Sequence, residues 1–213
     1  MRKLIYFYFL LIMVMALVSC SSSSEPPRPV FVADILSDQP ADGDIAFDSV
    51  QQNFTISHGP DTLFFGIDDL DPNLREFRAF LDFPLDGSTG FDVVPAAARI
   101  VSAKLEIFIN EVSFAPIVPT LLDLVIYSVY WLRAEDFNSP PLLSVSFDLF
   151  ASDQETFVSI DVTPLMREAQ RLGLADFQVR FLLDFTSDFG FVGIEDLPAV
   201  SLTAPLLRVS YTL

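Results

Sequence analysis

The chain has 213 residues, 51% hydrophobic, with 29 acidic residues against 12 basic ones for a formal charge of −17. The apolar content excludes disorder for the bulk of the chain, and an acidic surface without a basic stripe excludes nucleic acid and disfavours anionic lipid headgroups. One cysteine excludes an intramolecular disulfide, and one histidine leaves no histidine-rich zinc site.

In chain order, Arg2 and Lys3 precede an uncharged apolar run that stops at Leu17-Val18-Ser19-Cys20. The run is shorter than the roughly 20 residues of a spanning helix, so it reads as a secretion leader over 1–19, with an uncleaved signal anchor as the alternative. Its basic start, apolar middle and four-residue ending resemble bacterial lipoprotein signals. The resemblance implies cleavage before Cys20, lipid on its sulfur, and, through Ser21, sorting to the outer membrane of two-membrane bacteria. Several acyl chains make such an anchor stable. Loss of Arg2 and Lys3 with the leader takes the formal charge to −19.

The segment 20–44 reads as a tether, with Ser21 to Ser24 and Pro26, Pro27 and Pro29 giving an extended chain with little to bury. A single domain over 45–213 follows. Period-two alternation predicts strands over 45–56, 62–67, 77–83, 104–109, 121–131, 142–150, 156–162, 177–183, 189–194 and 207–213. In 104–109, for example, Leu105, Ile107 and Ile109 share one face, with Lys104 and Glu106 on the other. One helix is predicted near 163–172, with Thr163 as cap, Pro164 at its first position and Gly173 at its end. Ten or so strands of this composition predict an all-β fold, a two-sheet antiparallel sandwich whose 22 phenylalanines fill the space between the sheets.

Four blocks carry a family resemblance. They are Asp71-Pro72-Asn73-Leu74-Arg75-Glu76-Phe77-Arg78-Ala79-Phe80-Leu81-Asp82-Phe83; Ile100-Val101-Ser102-Ala103-Lys104-Leu105-Glu106-Ile107; Val158-Ser159-Ile160-Asp161-Val162-Thr163-Pro164-Leu165-Met166; and Pro205-Leu206-Leu207-Arg208-Val209-Ser210-Tyr211-Thr212. In this order they resemble the DNRLRE domain, an extracellular β-sandwich of bacteria and archaea, over roughly 45–213. The resemblance implies a jelly-roll-like sandwich, related to polysaccharide-binding modules that include alginate binders. The chain departs from the family at 127–141, where members carry a tryptophan- and asparagine-rich loop, and in its longer 86–99 connection.

His58, before Gly59-Pro60, reads as a turn residue. With Cys20 committed to lipid there is no Cys-His pair, and with His58 the one histidine there is no Ser-His-Asp triad around another. Carboxylates are plentiful, yet no pair is marked out by spacing or by an aromatic cleft as in a glycosidase, and no catalytic residue is assigned. Asp68, Asp69, Asp71 and Asn73 form the densest oxygen-ligand cluster, and calcium is the cation it would take. The calcium-loop pattern fails at Leu74, where a turn glycine is needed, and at Phe80, where the terminal glutamate belongs. A solvated acidic loop is the expectation. Asp184, Ser187 and Asp188 form a weaker cluster, and Asn53-Phe54-Thr55 is a chance sequon inside a strand.

Tyr130 and Trp131, with Phe137, are the aromatic candidates for stacking on a sugar. The expected protein is thus a lipid-anchored, non-enzymatic β-sandwich of the cell envelope that needs no cofactor and binds a polysaccharide, or alternatively an envelope protein.

Overall fold

A computed structural model describes residues 28–90, 92–184, 189–197 and 202–213. Cys20, Ser187 and Asp188 therefore lie outside the described residues. Among the described residues there are twelve strands and one α-helix, and no helix is long and apolar enough to cross a membrane. The expected all-β fold with one short helix is what is found.

The strands are β1 (Phe31–Leu36), β2 (Gly43–Asp48), β3 (Asn53–His58), β4 (Thr62–Ile67), β5 (Glu76–Pro84), β6 (Arg99–Ser113), β7 (Ile117–Leu124), β8 (Leu143–Phe150), β9 (Thr156–Asp161), β10 (Asp176–Leu183), β11 (Gly190–Glu195) and β12 (Leu206–Thr212). Every pairing is antiparallel. One layer holds β1, β12, β6 and β9, continued by β11 and β4; the other runs β3-β2-β5-β10-β7-β8.

The layers are one hydrogen-bonded sheet curled into a half-barrel, joined where Gly66 and Ile67 of β4 meet Phe77 and Glu76 of β5. Glycine is required at that corner. Gly66 has φ +107°, and a Cβ there would sit 2.1 Å from the Gly190 carbonyl oxygen of the neighbouring strand.

Alternation explains which residues reach the core. Leu63 and Phe65 of β4, Ala79, Leu81 and Phe83 of β5, Ala103, Leu105 and Ile107 of β6, and Phe177, Val179 and Phe181 of β10 are all fully buried in the main core. The phenylalanines divide, however. Phe80 and Phe137 belong to a second, smaller core on the outer side of β5, while Phe114, Phe150 and Phe157 are exposed.

The strand expected over 104–109 extends over Arg99–Ser113 and that expected from 121 begins at Ile117, and three other boundaries differ for a local reason. The strand expected over 45–56 is a hairpin, because Asp48 Oδ1 accepts the N–H groups of Val50 at 2.9 Å and Gln51 at 2.8 Å and turns the chain. The strand expected over 121–131 stops at Leu124, beyond which the chain crosses onto the outer face of its own layer. β1 lies within the segment expected as tether and pairs along its whole length with β12, burying Ala33 and Ile35; Val32 and Leu36 on its other face blur the alternation.

The helix α1 (Thr163–Leu172) has the expected limits, with Pro164 in its first turn and Gly173 in a left-handed conformation at its end. Thr163 is its first helical residue and not its cap: Val162 occupies that position, and Thr163 Oγ1 accepts the Ala103 N–H at 2.9 Å. Leu165, Met166 and Ala169 face the core.

Candidate functional site

The residues between β7 and β8 form a covering loop on the outer face of β2, β5 and β10. On β5 and β10 the positions facing away from the main core are Arg78, Phe80 and Asp82, and Gln178 and Arg180, yet all five are buried. Gln178 receives the loop first: its carbonyl accepts the Val125 N–H at 3.0 Å and its Oε1 accepts the Tyr127 N–H at 2.9 Å.

The arginines then fix the far side of the loop. Arg180 donates through Nη1 to the carbonyls of Asp136 and Phe137, both at 2.9 Å, and through Nη2 to Asp123 Oδ2 at 2.6 Å. Arg78 donates to the Phe137 carbonyl and to Asn138, pairs with Glu76 at 2.7 Å, and lays its guanidinium 3.9 Å from the centroid of the Phe137 ring. Burial pulls the Arg78 pKa below its ordinary value, and Glu76 opposes that shift. Around this frame Ile45, Phe80, Val125, Tyr127, Leu132 and Phe137 close the second core.

Tyr130 and Trp131 ride on the crest of that loop. The turn is held by the Trp131 N–H donating to the Ser128 carbonyl at 3.3 Å. Tyr130 is 80% exposed and Trp131 55%, their ring centroids 6.4 Å apart and their planes inclined by 56°. Two such rings form an angled ledge, open to solvent and borne on a fixed base; exposed Arg133, Glu135 and Asn138 lie on the same loop. Phe137, grouped with these rings on sequence, is placed elsewhere. It is 2% exposed, packed against Phe47 and Phe54 beneath Arg78, and has no ring face to offer a ligand.

The acidic loop engages its own side chains except Asp69, which has no side-chain partner among the described residues. Asp68 Oδ1 accepts the Leu70 N–H and Asp71 Oδ1 the Asn73 N–H, both at 2.9 Å; Asp71 also pairs with Arg75, and Asn73 donates to Asp48 at 2.7 Å. The Asn73 N–H and the Arg75 side chain hold the Asp71 carboxyl below the usual range. Among the described residues no group of three or more histidine, cysteine, aspartate or glutamate side chains is arranged to hold a metal ion.

A second acidic group, invisible in the sequence pattern, lies inside. Asp42, Asp82 and Asp196 are fully buried. Asp42 Oδ1 accepts the Asp82 N–H at 2.6 Å and Asp196 Oδ1 accepts the Ser37 hydroxyl at 3.1 Å, while the other oxygens of all three carboxyls make no well-aligned hydrogen bond, the Gln178 side chain only partly offsetting the burial of Asp82. Burial pushes Asp82 and Asp196 up to about 7 and Asp42 well above its usual value, with Asp196 and Asp82 adding like charge around Asp42. Full burial keeps substrate from this group, so its role is within the fold.

The buried arginines carry no sequence signal, since they alternate with apolar residues as solvent-facing strand positions do. The rings at 130 and 131 were legible because Trp131 is the chain's only tryptophan. No family model matches the chain, and no curated protein matches it significantly in sequence.

Proposed function

We propose that this protein is a lipid-anchored, non-enzymatic module of the bacterial envelope that binds carbohydrate at the Tyr130–Trp131 ledge. The observation that carries the reading is the exposure of two adjacent aromatic rings on a loop anchored by two buried arginines. Exposed rings of this kind are costly to leave in water and suit the apolar faces of sugar rings. The fixed base lowers the ordering cost of binding. Their inclination suits successive residues of a chain better than one flat ring.

The leader and lipobox support the anchor at Cys20, and membership of the DNRLRE family is part of the same proposal. Its four blocks fall on β5, β6, β9 with the start of α1, and β12, the central and closing strands of the fold. An envelope protein is the second reading, favoured by β8, which is paired on one side only and carries exposed Leu143 and Phe150.

The test is a glycan array probed with the mature chain, followed by titration of any hit against Tyr130→Ala and Trp131→Ala. Loss of about tenfold or more in affinity from folded variants is expected, a difference of ~1.4 kcal/mol. Unchanged affinity in both variants, or an array without hits beside a protein partner captured through β8, would overturn the carbohydrate reading.

A further inference from the structure

One end of the sandwich gathers exposed apolar side chains and two arginines outside any salt bridge. Phe31 pairs with Tyr211 and Tyr211 with Ile100, so the start of β1, the end of β12 and the start of β6 lie side by side. Here Val30, Phe31, Val32 and Val101 are all exposed. Five arginines elsewhere, Arg75, Arg78, Arg171, Arg180 and Arg208, are held in ion pairs with carboxylates. At this end Arg99, like Arg133 on the β7–β8 loop, makes no ion pair among the described residues, and Arg167 uses its guanidinium on the backbone carbonyls of Ile100 at 3.2 Å and Val101 at 2.8 Å.

These two arginines line an open cavity of about 410 Å³ with Ala98, Ile100 and Gln170. Asp161, whose carboxylate accepts the Thr163 N–H at 2.9 Å, interacts with Arg167 without forming a salt bridge. In an acidic chain, two guanidinium groups outside any salt bridge are thus found together with exposed aliphatic side chains at this end. That end is also where the described chain begins, at Arg28. Eight peptide steps separate it from Cys20, at most about 30 Å of chain.

We propose that this end of the domain rests on the phospholipid surface in which Cys20 is anchored, Arg99 and Arg167 taking lipid phosphates while Val30, Phe31, Val32 and Val101 enter the interface. The proposal rests on the lipid-anchor reading, because a tether this short keeps the patch at roughly millimolar effective concentration next to the bilayer and lets a weak surface act. Guanidinium groups beside apolar side chains suit the boundary between headgroups and acyl chains. The surface is zwitterionic: a strongly acidic protein is repelled by anionic lipid, whereas a phosphatidylethanolamine headgroup offers phosphate without net charge.

The test uses the mature lipidated protein in vesicles of phosphatidylethanolamine and phosphatidylcholine carrying a headgroup nitroxide quencher. With Cys20 acylated, Val101→Cys or Ser146→Cys supplies the sole free thiol for a fluorophore; Ser146 is an exposed position of β8 outside the patch. The expected result is quenching at 101 roughly threefold stronger than at 146, falling towards equality in Arg99→Glu and in Val32→Asp, as loss of a phosphate contact and of an apolar contact requires. Equal quenching at 101 and 146, or a contrast untouched by both substitutions, would overturn the proposal. Mass analysis of Cys20 separates the two readings. An unacylated Cys20 ends the anchor reading, and the same labels on Cys20→Ser chains with vesicles added then decide the patch: quenching at 101 alone supports it, and quenching at neither position overturns it.

Discussion

Strand β5 carries two buried charges on one face, four residues apart, and the protein treats them oppositely. Arg78, with Arg180 from β10, is surrounded by carbonyls, carboxylates and an aromatic face. Asp82, with Asp42 and Asp196, has no cation beside it and carries oxygens that make no well-aligned hydrogen bond. A chain with so many acidic and so few basic residues has acceptors in abundance for a buried guanidinium. It has little to offer a buried carboxylate, which takes up a proton instead. The arginine site is thus a fastening for the loop above it, and the aspartate site is a pH-dependent weak point at the other end of the strand.

The largest effect should come from breaking the fastening. Arg180→Ala leaves Asp123 buried without its cation and strips donors from the Asp136 and Phe137 carbonyls, a class of change that costs about 3–5 kcal/mol. Urea unfolding should show that loss, and Arg180→Lys should recover only part of it, because an ammonium cannot reach the carboxylate and the loop carbonyls together. If Arg180→Ala is no less stable than the parent, the loop is held by its apolar contacts alone.

The aspartate site should respond to pH with the opposite dependence from a salt-bridged carboxylate. Asp82 has an ordinary unfolded pKa near 3.9 and a folded pKa of about 7. Between those values the folded protein keeps a proton that the unfolded chain has released, so stability is full below about pH 4, falls as pH rises to about 7, and is flat above. The whole interval is worth on the order of 4 kcal/mol. Asp82→Asn mimics the neutral form, so its melting temperature should decline less from pH 4.5 to 7.5 and exceed that of the parent at pH 8. Parallel pH profiles for the two proteins would mean that Asp82 is ionised and hydrated in the fold.

These two sites also mark where sequence reading stops. Alternation within a strand fixes which residues share a face, and it placed Leu105, Ile107 and Ile109 correctly on one side. It cannot say whether the other side meets water or protein. Arg78, Asp82, Gln178 and Arg180 look like solvent-facing residues until the covering loop is known, and nothing in the alternation of β5 or β10 encodes that loop's path. The helix was legible because Pro164 and Gly173 act through local backbone geometry. Asp42 and Asp196 were not, since one lies in a turn and the other just beyond a strand, and only the tertiary fold brings them together.

The smallest expected effect on stability separates two aromatic residues of the same loop. Phe137 lies beneath Arg78 in the second core, so Phe137→Ala should cost about 3–5 kcal/mol. Trp131 stands on the crest above and donates only its backbone N–H to the turn, which alanine preserves. Trp131→Ala should therefore change unfolding free energy by no more than about 0.5 kcal/mol, the usual range for a surface position. That near-silence is what gives the substitution its value, because any ligand affinity it removes is then lost from the ledge and not from the fold. A destabilisation comparable to that of Phe137→Ala would place the Trp131 ring in the packing of the loop and take away the ledge's larger face.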